Sequence, residues 1–372
     1  MADPLRLADR MDFITASGIR KVFDLGAKLE NPIDLSIGMP DFDVPDAIKA
    51  VAKQAIDDGL NRYSPTQGFA PVLAAIEQSC CAEFGWAAGE RDFMVTSGVA
   101  GALTLAIMAT VNPGDEVIVT DPHFVMYSYI TRMAGGVPVI VDTYDDFQPD
   151  LDRIEAAITP KTRLIMVNSP GNPSGAVWPA EALQAIAALA DKHGILLVSD
   201  EIYSTFVYDA PYASVASYTD NVLLCRGFSK SFGMPGWRLG FCTGPKAILD
   251  KMKTLQQWTF VCGPTMAQMA IPTALATDMT PYVDTYRVKR DRVFDALSPL
   301  GLVKPGGTFY AFCPAPGGDA TAFVTKCIEN NVLTIPGMVF STKDTHFRLS
   351  FATTDEKLDQ GLEIILDVAN KF

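Results

Sequence analysis

The chain has 372 residues, 48% hydrophobic and 20% charged, with a net charge of -13 and a pI near 4.7. This composition suits one large globular domain plus a smaller one. Its acidity speaks against a nucleic-acid partner or an anionic membrane surface, since both select a basic face.

The start, MADPLRLADRMDFITASGIRK, lacks a basic stretch followed by an apolar core, so no secretory leader is expected. From Asp92 onward, short β-branched runs alternate with helical ones. Strands are predicted at 92–97, 116–121, 137–144, 162–169, 195–200 and 221–227, with helices at 99–111 and 179–194. The uncharged run from Phe93 to Gly114 contains glycines, Asn112 and Pro113, and is read as strand then helix, not as a membrane span. This alternation predicts an α/β fold whose mostly parallel sheet is covered on both faces. Such sheets place ligands beyond the carboxyl ends of their strands. After Pro281 a charged helix (281–301) leads into a smaller α+β set: GGTFYAFCP, a helix near TAFVTKCIENN, and THFRLSFAT. The large domain is drawn at 41–285, and the small one from 1–40 and 286–372.

Seven cysteines without a CxxC pair fit reduced thiols in a cytoplasmic compartment, and no metal is expected.

Four stretches carry chemistry. In ILLVSDEIY, Asp200 directly follows a run that belongs inside a parallel sheet, where a carboxylate needs a cation or strong donors. Pattern alone leaves open that Asp200 caps a helix. Tyr203 is close enough to share its crevice. In VNSPGNPSGAV, Pro170 and Pro173 bracket Asn172, which suits either a fixed side-chain hydrogen bond or a plain chain reversal. VTSGVAGAL sets Gly98 at a helix start, where bare N–H groups can cradle a phosphate, although Ser97 is also a common cap. CRGFSKSFGMPGWRLGF gathers Arg226, Lys230 and Arg238 among glycines and aromatics, with no acid from Asn221 to Leu249. An amine there can form a Schiff base with an aldehyde, and a guanidinium fork suits a phosphate.

Taken in order and at these separations, NSPGNPSG, SDEIY, SKSFGMPGWRLG and HFRLSFA resemble the fold-type I pyridoxal-phosphate enzymes, specifically the class I aminotransferases. The resemblance runs from LSIGMPDFDVP to the C-terminus and implies a seven-stranded, mostly parallel sheet in the large domain. It implies that Lys230 forms the Schiff base with pyridoxal 5'-phosphate and shuttles protons, and that Asp200 partners the ring nitrogen. Tyr203 and Asn172 are implied to bond the phenolic oxygen, and Phe124 to stack on the ring. The phosphate is implied to rest on Gly98, Val99 and Ala100, with Arg238 as its charge partner and Ser229 as a hydroxyl donor. Arg348 is implied to grip the substrate α-carboxylate, helped by the Gly38 N–H and by Asn172.

Tyr63 matches a residue that reaches the phosphate of a neighbouring subunit, which implies a homodimer with shared sites. The substrates implied are an L-amino acid (aspartate, aromatic or alanine-like) and a 2-oxo acid such as 2-oxoglutarate. A cysteine-conjugate β-lyase is the alternative. Two departures stand out. Val99 and Gly227 replace hydroxyl residues of some relatives, and the helix from Val99 to Val111 lacks a lysine that others use for a distal carboxylate, with Met108 near that turn. Arg226 is left as a structural salt bridge.

Overall fold

A computed structural model describes residues 7–27 and 29–372. In chain order its strands are β1 (Ile33–Asp34), β2 (Phe93–Ser97), β3 (Glu116–Asp121), β4 (Val137–Asp142), β5 (Thr162–Val167) and β6 (Leu196–Asp200). They continue with β7 (Val222–Gly227), β8 (Leu239–Thr243), β9 (Tyr310–Pro314), β10 (Val332–Leu333), β11 (Ile335–Pro336) and β12 (His346–Ser350). The large sheet has seven strands in the order β2-β8-β7-β6-β5-β3-β4.

Strands β3 to β7 pair in parallel, as the alternating sequence predicts. Their apolar runs are explained by cover on both faces: every residue of β6 is buried, and Ile165 and Leu197 pack against the helix Ala180–His193 while Met166 and Val198 join the opposite layer.

Strand β8 was not anticipated from the sequence. It lies antiparallel between β2 and β7 and completes the sheet. Its signal is blunted by Gly240, and the reason for that glycine is steric. A Cβ at Gly240 would stand 2.7 Å from the Gly98 carbonyl carbon and 2.8 Å from the Val99 nitrogen. The bare backbone thus lets the start of helix Gly98–Thr110 settle onto β8.

A second, antiparallel sheet runs β11-β12-β9, and β1 pairs in parallel with β10. That last pairing ties Ile33 to Val332, so the N-terminal segment joins the C-terminal elements in space. The charged helix runs Thr280–Leu297 and yields to a 3-10 turn, Ser298–Leu300, ahead of Gly301 with φ 91°. Among the described residues no helix is long and apolar enough to cross a membrane, and no cluster of three or more potential metal ligands occurs.

Candidate active site

The site lies at the carboxyl ends of the central strands. Asp200 closes β6, is 3% exposed, and makes no salt bridge among the described residues. Its Oδ2 accepts from the Tyr127 hydroxyl at 2.8 Å, its Oδ1 from the Ile202 N–H at 3.2 Å, and Asn168 Nδ2 donates to its carbonyl at 2.9 Å. Burial nonetheless pushes its carboxyl up to about 6, against the lowering by those two donors. A cation set above it would offset that desolvation.

Lys230 follows β7 in a tight turn that returns at Gly233, and its Nζ donates to the Gly38 carbonyl at 2.5 Å. Burial, reinforced by the charges of Arg348 and Arg238, brings this amine down to about 8. A measurable consequence is that Lys230 gains reactivity about two pH units before an exposed lysine does. Trace acylation of the cofactor-free protein across pH, read by peptide mass, is expected to show a midpoint near 8; a midpoint above about 10 would refute this description of the site.

Gly98 opens helix Gly98–Thr110 with φ +68°, where a side chain is strained. A Cβ there would also stand 2.9 Å from Arg238 Nη2. Arg238 Nη1 donates to the Pro235 carbonyl at 3.0 Å, and no carboxylate pairs with it among the described residues. An unpaired guanidinium beside the bare N–H groups of a helix start is an anion site.

Arg348, on β12, is 1% exposed. Its guanidinium lies 4.3 Å from the Tyr310 ring centroid and 4.6 Å from that of Phe340. Nη1 donates to Asn172 Oδ1 at 3.0 Å and Nη2 to the Ser36 carbonyl at 2.8 Å, while Nε has no hydrogen-bond partner among the described residues. Neutral carbonyl oxygens hold this charge without cancelling it, which suits capture of a carboxylate. The Tyr203 hydroxyl meets that of Tyr310 at 3.0 Å, and burial raises the Tyr203 phenol well above its ordinary range.

Most of the residues singled out in the sequence line one cavity of about 290 Å³: Gly38, Val99, Ala100, Phe124, Asn172, Asp200, Tyr203, Ser229, Lys230, Arg238 and Arg348. Gly98 does not line it; it lies behind Val99 against Arg238. Tyr63 is outside as well, 82% exposed in a surface hollow that it shares with Arg238 and Thr265. Gly38 presents its carbonyl to Lys230, whereas its N–H was the group anticipated. Met108 is 48% exposed, and the helix turns Val99, Ala100 and Leu103 toward the cavity instead.

Sequence reasoning missed Tyr127, Asn168 and Tyr310. Tyr127 comes three residues after Phe124, a spacing that brings it under the same roof on entering helix Met126–Met133, and their rings meet edge to face at 5.7 Å. Arg226 bears out its reading as a salt bridge: it pairs with Glu83 and Glu201.

The sequence profile of one family, described as aminotransferase class I and II, matches residues 30–365. The chain is 33% identical over 374 residues to a probable aspartate aminotransferase of Methanocaldococcus jannaschii, covering 97% of this chain and 99% of that one. It is 35% identical to aromatic-amino-acid aminotransferase 2 of Thermococcus litoralis, covering 96% and 97%. Among solved structures, the aspartate aminotransferase of Thermus thermophilus with maleate superposes with a TM-score of 0.93 at 34% identity, covering 98% of this chain and all of that one.

Proposed function

The chain belongs to the class I and II aminotransferases, and from that premise we propose that it uses pyridoxal 5'-phosphate held in the cavity around Lys230. It is an aminotransferase, exchanging an amino group between an L-amino acid and a 2-oxo acid. Nothing favours the β-lyase alternative. The observation that carries the cofactor assignment is a set of three groups around one cavity: a buried carboxylate without a salt bridge and an arginine without a carboxylate partner, both among the described residues, and an amine brought down to about 8. One phosphorylated pyridine aldehyde answers all three.

When bound, the cofactor supplies an aldehyde carbon for amine exchange and a protonated ring that draws electrons from the substrate Cα. Asp200 holds a proton at the ring nitrogen by pairing with it. Arg238, Ser229 and the N–H groups of Val99 and Ala100 would receive the phosphate, with Gly98 behind them leaving room for Arg238, and Phe124 would cover the ring. Tyr203 and Asn172 donate to the phenolic oxygen; the Asn172 carbonyl faces Arg348, which leaves its NH2 as the donor. Arg348 binds the α-carboxylate shared by amino acids and 2-oxo acids, beside Gly38. Lys230 Nζ takes the proton from Cα and returns it, a task suited to an amine near 8.

The chain divides into two lobes, 41–285 and 1–40 with 286–372, and the make-up of the second is supported by the pairing of β1 with β10. Homodimers with shared sites are supported by Tyr63, exposed beside Arg238, and by the solvent-facing Trp258, Phe260 and Val261. A cytoplasmic home is supported by seven free cysteines.

The test is a half-reaction screen: the cofactor-loaded protein is mixed with single amino acids, and conversion to the pyridoxamine form is followed by absorbance. Conversion without ammonia release is expected, and failure with every amino acid overturns the proposal. Arg348→Gln should raise KM for both the amino acid and the 2-oxo acid about 100-fold, through loss of the two-pronged carboxylate contact. A KM change for only one of the two would show that Arg348 does not serve their common group.

A further inference from the structure

Arg226 is the cation of the segment Cys225–Phe241 that the proposed function leaves without a part. The parallel register of β6 and β7 sets Asp200 beside Cys225, and Arg226 and Glu201 each come one step later. Successive side chains alternate across a sheet. Asp200 faces the cavity, whereas Ser199 and Glu201 share the other face, where Ser199 Oγ donates to Glu201 Oε1 at 2.9 Å. Ser214 Oγ donates to the same oxygen. Glu201 Oε2 accepts from Arg226 Nε at 3.0 Å and Nη2 at 2.9 Å. The guanidinium then reaches Glu83, with Nη1 at 2.5 Å and Nη2 at 2.7 Å, under the rings of Phe84 and Tyr212.

Glu201 is 2% exposed, so solvent does little to screen its charge from the adjoining Asp200. That like charge works against Asp200 as an anion; the Tyr203 phenol and the Cys225 thiol, whose ionisation burial opposes, also lie beside it, and Tyr127, the Ile202 N–H and Lys230 work for it. None of these three is among the groups that hydrogen-bond the Glu201 carboxylate; Ser199, Ser214 and Arg226 are. Of these, only Arg226 brings a positive charge.

We infer that Arg226 is a positioning residue: by pairing with Glu201 behind the strand, it keeps the neighbouring Asp200 carboxylate available as an anion for the cofactor ring. A salt bridge that only joined helix Ala70–Phe84 to the sheet would have no effect on what Asp200 binds. The inference rests on the reading of Asp200 as partner of the ring nitrogen, and the variants below separate the two.

The full-length protein is stripped of cofactor, and the dissociation constant of pyridoxal 5'-phosphate is measured from about pH 5 to about pH 9 for wild type, Arg226→Met, Glu201→Gln, the double variant and Asp200→Asn. Differences between variants isolate Asp200 from the titration of Lys230 and of the ligand itself. Wild type should lose affinity as pH falls through the Asp200 titration. Arg226→Met should move that loss upward by roughly one pH unit, a weakening of about tenfold at intermediate pH. Glu201→Gln should move it downward, and the double variant should return toward wild type. An Arg226→Met profile that superposes on wild type, or a double variant no better than the single one, overturns the inference. If Arg226→Met does not fold, Glu201→Gln decides alone, and an unshifted profile overturns it. Asp200→Asn that binds as tightly as wild type at every pH would instead overturn the reading of Asp200 itself.

Discussion

Replacing Lys230 with alanine should lower the transamination rate by at least about 10⁴-fold while leaving the fold intact, because this one amine is both nucleophile and proton carrier. The side chain projects into the cavity and, among the described residues, makes a single hydrogen bond, to Gly38, so its loss removes little packing. Arg238 and the helix start remain, so the variant should still bind pyridoxal 5'-phosphate reversibly and lose it on dialysis. A small primary amine added to the assay should restore part of the rate, since proton transfer is the missing step. Retention of more than about a hundredth of wild-type activity would refute the assignment of Lys230.

Asp200 offers the second large effect, with opposite signs for activity and stability. Asp200→Ala should lower kcat about 1000-fold, because the ring loses the anion that keeps it protonated, while cofactor is still bound weakly through Arg238. An unchanged kcat would reduce Asp200 to a cap for the Ile202 N–H. Stability of the cofactor-free protein should move the other way in Asp200→Asn. The native carboxyl titrates near 6, about two units above its unfolded value. For a group raised in this way, its contribution to stability is intact below about pH 4 and is lost as pH climbs through 6. At pH near 8 the amide should therefore stabilise the cofactor-free fold by up to about 3 kcal/mol, read from urea unfolding. A variant no more stable than wild type would show that Asp200 is not strained by its burial.

The sequence made these two residues readable for a physical reason. A charged side chain at the end of an apolar strand has few harmless explanations, and a lysine in an acid-free, glycine-rich turn has few others. The parallel strands were readable for the same reason: burial on both faces writes a continuous apolar run. Strand β8 was not, because Gly240 serves the contact with Gly98 and spoils the local β pattern. Tyr127 and Tyr310 were missed because a buried phenol looks like any core aromatic until its hydroxyl finds Asp200 or Tyr203. Tyr63 fits its implied role only if another molecule comes near, and one chain's sequence does not show that surface. Helix Gly98–Thr110 shows the limit of periodicity. It is apolar nearly all round, so nothing in its pattern distinguished the turn bearing Ala100, which lines the cavity, from the one bearing Met108, which does not.

Strand β8 also governs when the site can come into being. It holds the strand that leads into the phosphate cradle, β2, against the strand that leads into the lysine turn, β7, yet β2 and β8 are separated by most of the large lobe's sequence. Pairings of such long range are the slow ones, since their loop must close before any contact is gained. The start of helix Gly98–Thr110 and the Lys230 turn, neighbours in space, thus depend on a contact that spans residues 93–243. A cut or an insertion between β2 and β8 that loosens this pairing should part the two halves of the cavity floor while leaving each local element formed.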